Sequence, residues 1–212
     1  VEVSGNEKYT ESIKVTAENG KLMITQKSSK MCVGLCLFDE IITIYLPNDN
    51  KVELNHHSSS GNIDIEAELM NGNIKTTSGD IKINFLNEGI INSTSGNITI
   101  KEGNNLEVSS TSGDITINKA NELKTVSKSG NQNIGKLMNK ANIKATSGDI
   151  EITEFYIKEN SSIEATSGNI EVKLKNKAFI SPKTTSGDID IVNTNESVVL
   201  NIKTTSGDIT VK

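Results

Sequence analysis

The chain has no arginine and no tryptophan, and all 22 of its basic residues are lysine. Arginine is the usual residue for phosphate, base-edge and bidentate carboxylate recognition. Its absence, with a net charge of −5, argues against nucleic acid as a partner. Aromatic residues make up 3% and hydrophobic residues 34% of the sequence, too little for a conventional compact core. There are two histidines, two cysteines and two prolines. No apolar run approaches the roughly 18 residues of a membrane-spanning helix. The first residue is Val1, already in strand-like sequence, so a signal peptide or anchor helix is expected to precede it. Contact with a membrane would then run only through that segment.

What the sequence does have is a repeat. Ser-Gly-Asp or Ser-Gly-Asn recurs around Gly61, Gly79, Gly96, Gly113, Gly130, Gly148, Gly168, Gly187 and Gly207. Successive glycines are 17 to 20 residues apart, the period of a solenoid. A unit of that size cannot bury its apolar face alone, so neighbours must stack.

Aligned on the glycine, position +2 is isoleucine in eight of nine units, with Gln132 the exception. Position +4 is Ile or Val throughout, from Ile65 to Val211, and position +3 is mostly polar. Alternation in β-branched residues marks a strand with one buried face. Before the glycine, position −5 holds Ile74, Ile91, Val108, Ile143, Ile163 and Ile202, and position −3 is small. Inward positions are therefore odd before the glycine and even after it. An unbroken strand cannot change parity, so the chain must turn or bulge at Ser-Gly-Asx. There glycine supplies φ > 0, and Asp or Asn accepts a hydrogen bond from a nearby backbone N–H. The Asx column alternates, Asn62, Asp80, Asn97, Asp114, Asn131, Asp149, Asn169, then Asp188 and Asp208. Two readings stand: drift between equivalent turn residues, or spacing of charges that would repel at about 4.8 Å.

Residues 1–55 do not carry the repeat in the same form, since Ser4-Gly5-Asn6 lacks the following isoleucines, and read as a β-rich cap; residues 56–212 read as the β-helix. In the cap, Ser12–Ala17 and Lys21–Gln26 flank Asn19-Gly20, a hairpin signal, and Ile41–Leu46 is a strand ended by Pro47. The coil of Gly207 stops soon after its last strand begins and is expected to be an open edge, a site for end-to-end self-association. The coil of Gly130 departs from the pattern at Gln132 and Lys128, which points to a local bulge or widened loop.

Candidate chemistry is sparse. Cys32 and Cys36 read either as a disulfide across a short hairpin or as two free thiols. Neither their spacing nor the adjacent His56 and His57 suits zinc, and no metal or cofactor is expected. His56 and His57 fall on opposite faces of a strand or in a linker. No histidine recurs near the repeated serines, so a Ser-His-Asp relay has no base and no catalytic residue is assigned. Paired carboxylates could cleave polysaccharide, but Asp and Glu are dispersed among Lys and Thr. The threonines preceding the repeat serines form a column like that of ice-binding β-helices, against which stand the varying coil length and Lys128.

The repeat Thr-Ser-Gly-Asp-Ile-x-Ile, preceded by Ile42-Thr43-Ile44-Tyr45-Leu46-Pro47, resembles a bacterial adhesin-like domain family of unknown function found in cell-envelope proteins. The resemblance implies a right-handed parallel β-helix displayed outside the membrane, often behind an N-terminal membrane segment. It brings no catalytic or binding residues. The expectation is an all-β solenoid of about nine coils acting as a non-enzymatic surface module toward a protein or glycan. The alternatives are an envelope-stress sensing scaffold and, behind it, a polysaccharide-active enzyme.

Overall fold

The computed structural model describes residues 1–4, 10–26, 41–46, 52–192 and 196–212. The chain divides into two compact units, Val1–Asn50 and Lys51–Lys212.

In the first unit, β1 (Glu2–Ser4) pairs antiparallel with a strand formed by Ile41–Thr43. The hairpin of β2 (Ile13–Glu18) and β3 (Lys21–Gln26) closes on Asn19 and Gly20, at φ 51° and 73°. Two consecutive positive φ values make the tight primed turn that matches strand twist, as Asn-Gly predicts. The strand expected over Ile41–Leu46 is confined to β4 (Ile41–Thr43), and Pro47 lies outside the described residues. Cys32 and Cys36 also lie outside them.

The second unit is a parallel β-solenoid of about nine turns. It opens with β5 (Val52–Ser58), so residues 52–55 already belong to it. Five long strands follow, each running from one Gly-Asx corner to the next: β6 (Ile63–Ser78), β7 (Ile81–Ser95), β8 (Ile98–Ser110), β9 (Ile115–Ser129) and β10 (Gln132–Ser147). Each pairs in parallel with the next, and isoleucine meets isoleucine: Ile63, Ile81, Ile98 and Ile115 are successive partners. The inward columns form one core in which Ile74, Ile81, Ile91, Ile98, Ile115 and Ile143 are fully buried. Few aromatics are needed because each residue packs on its own counterpart one coil away.

The change of parity at the corner is real. Thr76 and Ile81 are both buried although five positions apart, and the strand breaks at Gly79-Asp80 between them. The expected reason for glycine accounts for only part of the column. φ is positive at six of the nine repeat glycines but not at Gly96, Gly113 or Gly130. What all the stacked ones share is axial crowding. A Cβ on Gly96 would lie 2.0 Å from the Gly79 carbonyl oxygen, and one on Gly113 2.2 Å from that of Gly96. Gly61, the first in the column, has nothing within 4 Å.

The last turns are shorter strands: β11 (Ile150–Phe155), β12 (Ser161–Ser167), β13 (Ile170–Leu174), β14 (Phe179–Lys183), β15 (Ile189–Ile191), β16 (Val199–Lys203) and β17 (Ile209–Val211). Their stacking departs from chain order. β17 lies between β13 and β15, and β16 lies between β12 and β14. The coil of Gly207 is thus inserted between those of Gly168 and Gly187. This corrects the expectation of an open C-terminal coil. Ile209 and Val211 are 0% and 2% exposed, whereas Ile189 is 43% exposed, so the outermost coil is that of Gly187.

Candidate functional site

The Ser-Gly-Asx corner is built by three cooperating residues. Glycine lets successive corners approach to backbone contact. The Asx side chain then ties each coil to the next: Asp80 N–H donates to Asn62 Oδ1 at 3.0 Å, Asn97 N–H to Asp80 Oδ1 at 2.9 Å, and Asp114 N–H to Asn97 Oδ1 at 3.0 Å. The ladder continues through Asn131, Asp149, Asn169 and Asp208 and ends on Asp188, whose N–H donates to Asp208 Oδ1 at 2.9 Å. Asp and Asn do the same work, since only a carbonyl-type oxygen is required. Asn and Asp alternate along the stack until Asp208 and Asp188, which are neighbours at its outer end.

The third residue is the small one at −3, whose hydroxyl serves the corner from inside. Thr76 Oγ1 donates to the Ser78 carbonyl at 3.0 Å, Ser127 Oγ to the Gly130 carbonyl at 3.1 Å, and Thr204 Oγ1 to the Gly168 carbonyl at 3.2 Å. Sequence reasoning saw only the size of this residue. Its recurrence as Thr or Ser was the available signal. Ser93 and Ser110 carry the same hydroxyl, buried, with no partner among the described residues.

With the corner's backbone satisfied internally, its outward side chains are left over. Thr77-Ser78, Thr94-Ser95, Thr146-Ser147, Thr166-Ser167 and Thr205-Ser206 are exposed in one line along the rod. Among the described residues, none of these hydroxyls is engaged by another protein group. Lys128 is the one break in the threonine line.

The flat faces carry cross-coil ion pairs. Lys119 pairs with Glu102; Lys124 with Glu107 at 2.8 Å; Lys140 with Glu159 at 3.1 Å; and Lys144 with Glu164 at 3.4 Å. All are exposed, so each adds little to stability. Hydrogen bonds from Lys140 and Asn139 and the Lys140 charge hold the Glu159 carboxyl below its ordinary range. No group of three or more His, Cys, Asp or Glu among the described residues is arranged to hold a metal ion.

Two inward positions break the isoleucine pattern. His56 occupies slot −5 of the first coil and faces inward, with His57 facing out, and its Nε2 is buried with no partner among the described residues. Burial, and then the His57 charge, lower its pKa. In the Gly130 coil, Thr125 and Gln132 fill two isoleucine slots at 0% exposure and bond to each other. Gln132 Nε2 also donates to the Lys144 carbonyl at 2.7 Å. The corner there is regular, with Asn131 N–H on Asp114 Oδ1 at 2.8 Å, and the bulge falls further on, between Leu137 and Lys140. A pocket of about 240 Å³ at the outer end is lined by Leu174, Lys175, Lys177, Val192 and Val211, among others.

A parallel solenoid stacked on a Ser-Gly-Asx corner, with a separate β-rich unit before it, defines the class: a repeat-built β-helix-like domain. The chain belongs to the Toastrack DUF4097 family, a domain of unknown function, whose family model matches residues 1–212. No curated protein and no solved structure gives a significant match. No helix among the described residues is long and apolar enough to cross a membrane.

Proposed function

We propose that the domain is a non-enzymatic, adhesin-like binding module displayed at the bacterial cell surface, with the Thr-Ser edge as its contact surface. The observation that carries this reading is the row of exposed hydroxyls that the fold does not use for its own bonds. A linear array of neutral donors and acceptors suits an extended polar partner, a glycan chain or a protein strand, contacted many times along its length. The lysine–glutamate pairs neutralise the adjoining faces and leave the edge as the distinctive chemistry. Glu159, held low rather than raised, is the opposite of a general acid.

The test is retention of beads carrying the chain on peptidoglycan, purified envelope polysaccharide and envelope-protein arrays. Replacing Thr94, Thr111 and Thr146 by Lys should abolish retention while leaving the melting temperature unchanged. Absence of retention on every surface, or equal retention of the lysine variant, overturns the reading. Release of soluble sugar would replace it with a polysaccharide-active enzyme.

A further inference from the structure

The Gly207 coil follows the Gly187 coil in the chain but lies inside it in the stack. It sits in a slot with two walls, the Gly168 coil and the Gly187 coil. Both walls grip it with the ladder used throughout the solenoid. On one side Gly168 N–H donates to the Ser206 carbonyl at 3.0 Å and Ile170 N–H to the Asp208 carbonyl at 2.9 Å. On the other, Gly207 N–H donates to the Ser186 carbonyl and Ile209 N–H to the Asp188 carbonyl, both at 2.9 Å. Ile202 and Ile209 fill the core between the walls at 1% and 0% exposure.

The outer wall is weakly held. Among the described residues, the strands of the Gly187 coil pair with another coil on one side only, and Phe179 and Ile189 in it are 41% and 43% exposed. A coil with half the usual contacts belongs to the low-stability end of the fold. Pro182, without an N–H, lies in its outermost strand, which disfavours a further coil stacked outside it. Association is therefore directed to the slot rather than to the outer edge. During synthesis the slot exists before its occupant, since residues 168–191 leave the ribosome ahead of residues 199–212. Nothing in the ladder distinguishes an occupant from the same chain from one supplied by another.

We propose that the slot between the Gly168 and Gly187 coils is a binding site for the C-terminal coil, Val199–Lys212, of a second copy of this chain. Exchange of that coil links copies without any contact that the monomer lacks, the low-cost route to association. The inference is independent of the surface-binding reading, and its test does not use the Thr-Ser edge.

Glu171 and Thr210 are partners on adjacent parallel strands, at about the 4.8 Å spacing a disulfide can bridge. Glu171 and Asp190 are two layers apart, beyond that reach. In the full chain, Glu171→Cys and Thr210→Cys are introduced with Cys32 and Cys36 changed to Ser, and the reduced protein is warmed below its melting point and then oxidised. A dilute sample should give an intramolecular bridge. Covalent dimer should rise several-fold over about a hundredfold increase in concentration, and free peptide Val199–Lys212 should suppress it several-fold. Intramolecular bridging alone at every concentration, dimer indifferent to the peptide, or no bridge at all overturns the proposal.

Discussion

The middle coils, from Gly79 to Gly130, stack in the order in which they are synthesised; the last three do not. The interfaces are nonetheless alike. A glycine column in backbone contact, an Asx oxygen on the next N–H and isoleucine on isoleucine hold Gly113 to Gly96, and hold Gly207 to Gly168 in the same way. The coil interface is thus generic. It fixes how two coils meet but not which two. Order must come from the connections and from the few coils whose interior differs. The last three turns are the longer ones, with glycines 19 or 20 residues apart against 17 in the middle, which gives the chain length to climb past a layer and return.

The largest effect should come from breaking the generic interface itself. Gly113→Ala places a Cβ 2.2 Å from a backbone oxygen that cannot move aside, and should cost about 3 kcal/mol or more. Gly61→Ala meets nothing within 4 Å and has only its φ of 105° to strain, about 1–2 kcal/mol. Urea denaturation of the two variants decides the matter. If Gly61→Ala is the more damaging, glycine serves conformation and not close approach.

Next comes the order of the last coils. Ile209→Ala should cost about 2–4 kcal/mol, as for a fully buried core residue. Ile189→Ala, in the same slot of the outer coil, should cost about 1 kcal/mol or less. A solenoid stacked in chain order requires the reverse, because Ile189 would then be enclosed and Ile209 terminal. Hydrogen exchange gives a second reading of the same contrast, with amides of β17 protected more strongly than those of β15.

A smaller effect separates the Gly130 coil from its neighbours. Thr125 and Gln132 are a satisfied polar pair within one coil of an aliphatic column, and Gln132 also donates to the Lys144 carbonyl of the next coil. Gln132→Ile alone strands the Thr125 hydroxyl and should lose about 1 kcal/mol. Adding Thr125→Val should restore or exceed the parent stability, as apolar replacement of a buried polar pair tends to do. A strictly additive cycle, with no gain on the second change, would show that the two residues are uncoupled.

The solenoid was legible in the sequence because its cause is periodic. Isoleucine at +2 and +4 and the switch of parity at Gly-Asx are local facts, and the Asn19-Gly20 hairpin follows from backbone preference alone. Stack order was not read from the sequence, because nearly every coil offers the same slots; its one signal is Pro182, which fills slot −5 of the Gly187 coil, lacks an N–H and suits an edge strand. The axial role of glycine was missed for a related reason: a lone glycine reads as a turn residue, and only its stacked neighbour shows what a Cβ would strike. Of the candidate site, the Thr-Ser column was visible as spacing. That its hydroxyls are left over follows from the Asx ladder, which ties each corner to the next without them.

The smallest predicted effect sharpens the contrast between the first coil and the middle. Slot −5 is aliphatic in most coils, but in the first it is His56, half-buried, with Nε2 unpartnered among the described residues. Burial disfavours the charged ring, and the neighbouring His57 adds to this, so its pKa lies below the ordinary value of about 6.5. Between the folded and unfolded values the unfolded chain binds more protons, so stability is complete above about pH 6.5 and falls as pH drops through the folded pKa. The loss of Glu159 pairing belongs to a separate, more acid window, below the ordinary carboxylate value of 4.5. Hydrogen exchange should show protection falling in β5 between neutral and mildly acid pH while β8 and β9 hold. His56→Ile, which restores the residue type used at Ile74 and Ile91, should flatten that dependence. An unchanged pH slope in the variant would place the acid sensitivity elsewhere and leave the first coil no different from the coils it precedes.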